Sequence, residues 1–520
     1  MTTARKPAPS PSRRPGVART LLADAVAGIS VAMVGIPQSL AYAELAGMPP
    51  VAGLYAGAVP PLLAAVFASS PYLQTGPVAI TALLTFGTLS TMAEPGSPEY
   101  VGLGLALAFV VGAVRVALGL VRAGWLAYLM SQPMLLGFVP AAAVLIACSQ
   151  LPKALGVSSP PDRGNDILEA AWAVAHPGQW GLPALAFAVL SALVIVGGRR
   201  LHRLFPGVLA AAVLGIVASA VLGYRGAVVG AVPAGLPPFT LDDLPWDRLP
   251  ELILPGVVIA LIGFTEAASI ARRFATEERV RWSADREFVS QGVANLTAAA
   301  VGGMPCGGSF SRSSVNRMSG ARTRWSGAFT GLAVLAFLPL AGILRPLPLA
   351  VLGAIVVVAV AGLLRFRPLL RLWRLSRPQA LIAWSTFLAT MLLAPRIDLA
   401  VLAGIALSIV VFLWRMLHLE VDVEAPDGTL TLTPRGVLWF GTAQRLDAAL
   451  LDALAAHPAA TRLVVNLGGL GRVDTTGALV LRSMLDHARE AGLEAEVRGV
   501  PPQSRALTER ILGPDTGPLD

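Results

Sequence analysis

From about residue 20 to about residue 417 the chain is a succession of long apolar runs separated by short polar stretches. Apolar runs of roughly 18 residues or more mark membrane-spanning helices. The pattern predicts fourteen crossings, near 22–45, 52–69, 77–92, 101–121, 125–150, 182–198, 204–223, 250–273, 284–303, 309–319, 326–344, 347–364, 378–394 and 398–416. The third and tenth are short for a hydrocarbon layer about 30 Å thick; read as loops, they would leave twelve. After about residue 420 the pattern becomes that of a soluble domain with alternating strands and helices. The expected organisation is an N-terminal tail over 1–19, an all-α polytopic membrane domain over 20–418, and a small α/β domain over 419–520.

Charge orients these segments. Arginines gather on one side of the alternation: Arg13, Arg14 and Arg19 before the first span; Arg199, Arg200 and Arg203 after the sixth; Arg272 and Arg273 after the eighth. Arg317, Arg322 and Arg324 follow the tenth, and Arg365, Arg367, Arg371, Arg374 and Arg377 follow the twelfth. The intervening loops are poor in cations; the one at 224–249 sets Asp242, Asp243 and Asp247 against Arg225 and Arg248. Cytoplasmic loops carry the excess of Lys and Arg, so both termini are expected in the cytoplasm of a cell whose plasma (inner) membrane holds the protein. The net charge of +9 is thereby explained by topology, and no nucleic-acid partner is implied.

Only 14% of residues are charged and 55% are hydrophobic, against about 25% charged in an ordinary soluble domain. Mean hydropathy is +0.68. The two cysteines, Cys148 and Cys306, imply no disulfide framework. His202 and His457 lack metal-ligand spacing, and neither a phosphate-binding loop nor a nucleophile elbow occurs. No cofactor, metal or enzymatic activity is therefore expected, and neither ATP drive nor hydrolysis is supported.

Fourteen spans divide into two sevens, with the short third and tenth in matching places. Short, Gly/Pro-interrupted segments at corresponding positions point to an inverted-repeat transporter with its site near the bilayer midplane. In the third, Thr75, Gly76 and Pro77 precede a helical run expected from Pro77 to about Thr91. In the tenth, Gly307 and Gly308 precede Ser309 and Ser311, both suited to an N-cap. Two half-helices would then begin inside the membrane, each offering unpaired N–H groups and roughly half a positive charge to an anion. In span 1, "GIPQSLAYAELAG" carries Pro37, either a plain kink or a device that exposes Gln38, Ser39 and Tyr42. Arg312 is the one strong cation near the site. It attracts the anion, pairs with a carboxylate, or only supports the half-helix. In span 8, Glu266 lies about a turn and a half inside Arg272. A carboxylate held in protein at that depth is a candidate proton carrier, or else the ion-pair partner of Arg312.

The stretches "GIPQSLAYAELAGMPPVAGLY", "GPVAIT" and "GGSFSRSSVN", with the glutamate of span 8, resemble the SulP family, relatives of the solute carrier family 26 anion transporters. The resemblance covers essentially the whole chain. It implies a seven-plus-seven inverted repeat, in which a core domain of spans 1–4 and 8–11 moves against a gate domain of spans 5–7 and 12–14. It also implies an anion held between the N-termini of spans 3 and 10, and a homodimer. Transferred residue by residue, the binding positions are Gln38, Tyr42, Ala79, Ile80, Thr81, Ser309, Phe310, Ser311 and Arg312, with Glu266 as the proton-coupling residue. Family substrates are sulfate, bicarbonate, chloride and dicarboxylates. The glutamate in span 8 resembles the proton-coupled type, whereas sodium-coupled bicarbonate members have an aspartate there. Proton symport of a dicarboxylate or sulfate is expected ahead of bicarbonate. An anion channel, an uncoupled exchanger, and a sensor that binds without transporting are the rival readings.

In the tail, "TLTLTPRGVLWFG" reads as a hairpin or paired strands, "TRLVVNLGG" as a buried strand, and "VDTTGALVLRSMLDHAREAG" as a helix capped by Asp474 or Thr475. "LEAEVRGV" gives a further strand and "PPQSRALTERIL" a last helix. The order and the "DTTG" motif resemble the STAS domain. Its relatives carry a phosphorylatable serine where Thr475 stands, so Thr475 is either a cap or a regulatory phosphate acceptor.

Overall fold

The structure, a computed structural model, describes residues 16–128, 131–157, 165–202 and 205–513. Arg13, Arg14 and Arg203 of the charge pattern, with most of the expected N-terminal tail, lie outside the described residues. The chain divides into two compact units, Met1–Ile405 and Ala406–Asp520.

The helices of the first unit are α1 Val17–Leu45, α2 Pro50–Phe67, α3 Ala79–Leu89, α4 Pro98–Leu120, α5 Gln132–Leu155, α6 Asp166–Ala175, α7 Leu182–Leu201 and α8 Gly207–Val221. They continue with α9 Leu249–Glu278, α10 Ala284–Ala300, α11 Phe310–Met318, α12 Trp325–Phe337, α13 Leu349–Ala361, α14 Phe366–Leu375, α15 Arg377–Leu392 and α16 Ile397–Met416, which runs on into the second unit. Nine helical segments among the described residues are long and apolar enough to cross a membrane.

Every expected span coincides with a helix. Two helices were not foreseen, α6 and α14, and both were read as loop. Each follows the fifth span of its half, so the two halves share one order of elements. Helices α1–α4 pack with α9–α12, while α5, α7 and α8 pack with α13 and α15. Gly404 of α16 abuts Thr386 of α15 and Met134 of α5. This grouping is the core and gate division that the family resemblance implied. α1 touches α5, α8 and α13 and α3 touches α5, so these two helices border both groups.

Small residues allow the closest approach. A Cβ at Gly112 of α4 would stand 2.6 Å from the Leu296 nitrogen of α10, and one at Gly292 of α10 would stand 2.7 Å from the Val116 nitrogen. In an apolar solvent helices associate through such close packing, because burying apolar surface gives no advantage over lipid. The outward faces keep large apolar side chains exposed, among them Leu182, Leu190 and Leu193 of α7 and Ile409, Val410 and Phe412 of α16.

The second unit holds β3 Glu420–Glu424, β4 Thr429–Leu438, α17 Phe440–Ala456, β5 Arg462–Asn466, β6 Leu470–Val473, α18 Thr475–Glu490, β7 Glu494–Arg498 and α19 Arg505–Leu512. β3 pairs antiparallel with β4, and β5, β6 and β7 extend the mixed sheet in parallel. The stretch 429–441, expected as a hairpin or paired strands, holds one strand, β4, which pairs with β3 before it. It changes partner at Gly436, from β5 to β6, across a register shift. Leu430, Leu432, Leu463, Val465 and Val497 from the sheet and Leu446, Leu450, Leu481 and Leu485 from α17 and α18 are buried together. Asp474 is the cap of α18: its Oδ1 accepts the Gly477 N–H at 2.7 Å. Thr475 is therefore not the cap; it is the exposed first residue of the helix.

Candidate functional site

α3 and α11 are the shortest helices that coincide with expected spans, eleven and nine residues. At 1.5 Å per residue they cover about 16 and 14 Å, roughly half a hydrocarbon layer. Their N-termini meet. Thr75–Gly76 (β1) pairs antiparallel with Gly307–Gly308 (β2), Thr75 opposite Gly308 and Gly76 opposite Gly307. The Ser309 N–H donates to the Gln74 carbonyl at 2.9 Å, and the Gln74 N–H donates to Ser313 Oγ at 2.9 Å. Irregular backbone at membrane depth must satisfy its polar groups within protein, and this ribbon does so by pairing one break with the other.

α3 starts later than its proline suggested. Val78 is the N-cap, in extended conformation, and Pro77 stands outside the helix. Arg312 accounts for the difference: its Nη2 donates to the Pro77 carbonyl at 2.7 Å, which a helix begun at Pro77 would take for itself. No side chain caps α3, so the N–H groups of Ala79, Ile80 and Thr81 have no intrahelical partner. In α11 the Ser309 Oγ caps the Arg312 N–H at 3.4 Å and lies 3.3 Å from the Ser311 Oγ.

Arg312 thus crosses from one half-helix to the other. It runs against Gly35 of α1 and Gly76, where a Cβ would stand 3.7 Å from its Cδ and 2.9 Å from its Nη1 respectively. Gly76 also has φ 150°, a conformation costly to any residue with a Cβ. No ion pair joins Arg312 to Glu266 among the described residues. Arg312, Glu266 and Tyr42 nonetheless lie within electrostatic reach of one another. Glu266 is half-buried on α9, and its neighbour Ala267 packs on Gly308, whose added Cβ would stand 2.8 Å from the alanine Cβ.

The other expected residues fall as follows. Gln38 and Tyr42 are buried one helical turn apart on α1, which runs unbroken through Pro37. Ala79, Ile80 and Thr81 form the buried first turn of α3. Phe310 is exposed, with the Arg273 guanidinium 5.7 Å from its ring centre. Gln38 Oε1 and Thr81 Oγ1 are buried and find no hydrogen-bond partner among the described residues.

Arg312 is not the only cation here. Arg115 of α4 is fully buried behind the ribbon and donates to the carbonyls of Ala260 at 3.1 Å, Cys306 at 2.8 Å and Ile259 at 3.2 Å. Asn295 grips the same Cys306, accepting its N–H at 2.8 Å and donating to its carbonyl at 3.1 Å. Gln291 donates to Thr75 Oγ1 at 2.6 Å. These supports were missed. The signal was available for Arg115, an ionisable residue inside the apolar run "LALAFVVGAVRVALGL". Gln291 and Asn295 sit four apart on one face of a span, as such a support requires.

The sum is a buried place where two helix N-termini, three hydroxyls and a guanidinium converge, backed by a second guanidinium. It suits a small anion. Residues 21–386 match the model of the sulfate permease family, and residues 421–512 match that of the Mlab STAS domain. The chain is 35% identical over 409 residues to a probable sulfate transporter of Mycobacterium tuberculosis, covering 77% of this chain and 71% of that one. It is 33% identical to the chloroplastic sulfate transporter 4.1 of Arabidopsis thaliana, over 74% of this chain but 57% of the relative, whose remaining length has no counterpart in the match. It is 30% identical to human solute carrier family 26 member 6, over 78% and 57%. Among solved structures, murine Slc26a9 in the inward-facing state superposes with a TM-score of 0.85 at 19% identity, over 95% of this chain and 88% of that one. The transmembrane domain of the cyanobacterial bicarbonate transporter BicA superposes at 0.64 and 23% identity, over 75% and 98%. These likenesses concern the fold. With a family match over most of its length and a STAS domain after it, this multi-pass membrane chain belongs to the sulfate permease family.

Proposed function

We propose that the protein is a secondary active transporter of a small anion, coupled to protons and working by alternating access. The observation that carries this reading is the β1–β2 ribbon, which joins the two half-helix N-termini head to head with Arg312 spanning them. In this reading Gln38, Tyr42, Ala79, Ile80, Thr81, Ser309, Phe310, Ser311 and Arg312 contact the anion. The amides of α3 and the hydroxyls of α11 bind it without a full complement of cations. Sulfate ranks first, since the bacterial and plant relatives named above are a probable sulfate transporter and a sulfate transporter, then a dicarboxylate, then bicarbonate.

Glu266 carries the proton. It competes with the anion for the field of Arg312, so protonating it strengthens anion binding, and the anion by linkage strengthens protonation. The two then cross together. The core group α1–α4 and α9–α12 moves against the gate group, with α1 and α3 at the sliding boundary. The transport domain extends over 20–418, the STAS domain over 419–520 lies in the cytoplasm with the N-terminus, and the protein works as a homodimer in the plasma membrane. Thr475, exposed in the first turn of α18, is the position where a phosphate would regulate it.

The test is uptake into proteoliposomes of sulfate, succinate, fumarate, bicarbonate and chloride, with and without an acid-outside gradient. Saturable uptake of sulfate or a dicarboxylate, accelerated by the gradient, is expected. Glu266→Gln should abolish the acceleration and leave counterflow exchange intact. A non-saturating current would establish a channel instead, and a wild type indifferent to the gradient an uncoupled exchanger.

A further inference from the structure

The arginines between α13 and α15 do more than orient the chain, because the segment that bears them is a helix with three distinct sides. Leu369 and Leu372 of α14 are buried against Ala380 and Ala383, with Trp384 and Phe387 alongside. Phe366 meets the Phe387 ring edge-on at 6.0 Å between centres. The next side carries Leu370 and Trp373, 56% and 51% exposed. The third side carries Arg367, Arg371 and Arg374, spaced four and three apart and so in one ridge, with Arg365 and Arg377 at the two ends.

This helix cannot leave the membrane surface. It is joined to α15 by Ser376 alone and by four residues to α13, which is a strongly apolar helix. Its exposed apolar side therefore meets acyl chains, and its cationic ridge stands at headgroup level. Among the described residues no carboxylate is paired with that ridge. No Asp or Glu occurs between Glu287 and Asp398, and no ion pair holds any of the five arginines among the described residues. The equivalent helix of the first half, α6, makes the contrast: it too has an apolar and a polar side, though less sharply divided, yet it carries Asp166 and Glu169 and no base. Lying flat at an interface requires amphipathicity; it does not require five guanidiniums.

We propose that α14 is a binding site for anionic phospholipid in the leaflet where it lies. The guanidinium forks of Arg367, Arg371 and Arg374 engage phosphate oxygens, while Leu370 and Trp373 bed into the acyl chains beneath. Arginine suits this chemistry because its planar fork matches a phosphate with two hydrogen bonds. Three such contacts correspond to an enrichment on the order of 100-fold over a zwitterionic lipid. The inference is independent of the transport mechanism.

The test uses the full chain, purified with mixed phosphatidylglycerol and phosphatidylcholine, and reads the retained lipids by native mass spectrometry. Wild type should retain phosphatidylglycerol selectively and melt higher in its presence. R367Q/R371Q/R374Q should lose about tenfold or more of that selectivity, and R367K/R371K/R374K should keep most of it. Inorganic phosphate at millimolar concentration should not displace the lipid; displacement would make the site one for a soluble anion and overturn the proposal. So would equal selectivity in wild type and the glutamine variant, or a change of oligomeric state without a change in lipid, which would assign the ridge to a second copy of the chain. If the glutamine variant fails to fold, wild type decides: retention without preference for phosphatidylglycerol overturns the proposal.

Discussion

α3 and α11 hold equivalent places in the two halves of the membrane unit and are made of opposite materials. α3 is apolar along nearly its whole length, buried on every side, and enters its first turn without a cap. α11 is polar, opens on a serine cap and carries arginines at 312 and 317. One contributes bare amides and the unbonded Thr81 hydroxyl; the other contributes serine hydroxyls and a cation. An anion site built from two identical ends would lack either the charge or the freedom from competing caps. The asymmetry lets Arg312 of the polar half restrain the apolar half through Pro77, so that a single side chain sets the spacing of both ends. Helices in equivalent places therefore need not share chemistry, and in the proposed reading that difference is what lets the site between them hold an anion.

The comparison breaks most completely at the junction. Gly76→Val places a branched side chain on Arg312 in a backbone conformation that disfavours it. Uptake should fall about 100-fold or more, the scale on which a 1 Å displacement of a binding group acts. Initial rates in proteoliposomes, with elution as a single species as the folding control, measure it. Next is Arg312 itself. Arg312→Ala should weaken apparent anion affinity about 30-fold, the equivalent of about 2 kcal/mol for charge-assisted hydrogen bonds. Arg312→Lys, which keeps the charge and loses the fork, should fall between Arg312→Ala and wild type. Equal affinities for all three would remove the guanidinium from the site.

The smallest effects separate the two ends. Ser309→Ala removes a cap and should cost about 1 kcal/mol of stability, visible as a lower melting temperature. Thr81→Val removes a hydroxyl that bonds to nothing among the described residues, so stability should hold while apparent affinity falls about fivefold, the worth of one hydrogen bond. If both variants lose stability and neither loses affinity, the hydroxyls are structural and the anion lies elsewhere.

Much was legible in the residues. The fourteen apolar runs coincide with helices because a chain in lipid must close its backbone bonds within each segment, which makes length and hydropathy nearly sufficient. The half-helix starts were readable because Gly and Pro clustered ahead of a short segment favour a break before it. Three things were not readable. Pro77 looked like the first residue of α3, and only the reach of Arg312 from 235 positions away shows why it is not. Arg115 was hidden in an apolar run, since its carbonyl partners on α9 and before β2 become neighbours only on folding. The helices α6 and α14 passed for loops, because ten amphipathic residues stay helical only when one face finds a bundle to lie on.

Sequence alone determined what each segment is: spanning or soluble, broken or whole, and cationic or neutral at its ends. These are local properties, written in hydropathy, in glycine and proline, and in arginine placement. Tertiary structure decided how the breaks face each other. Two unsatisfied backbone segments, Thr75–Gly76 and Gly307–Gly308, far apart along the chain, became one ribbon, because at membrane depth each was the other's available hydrogen-bonding partner.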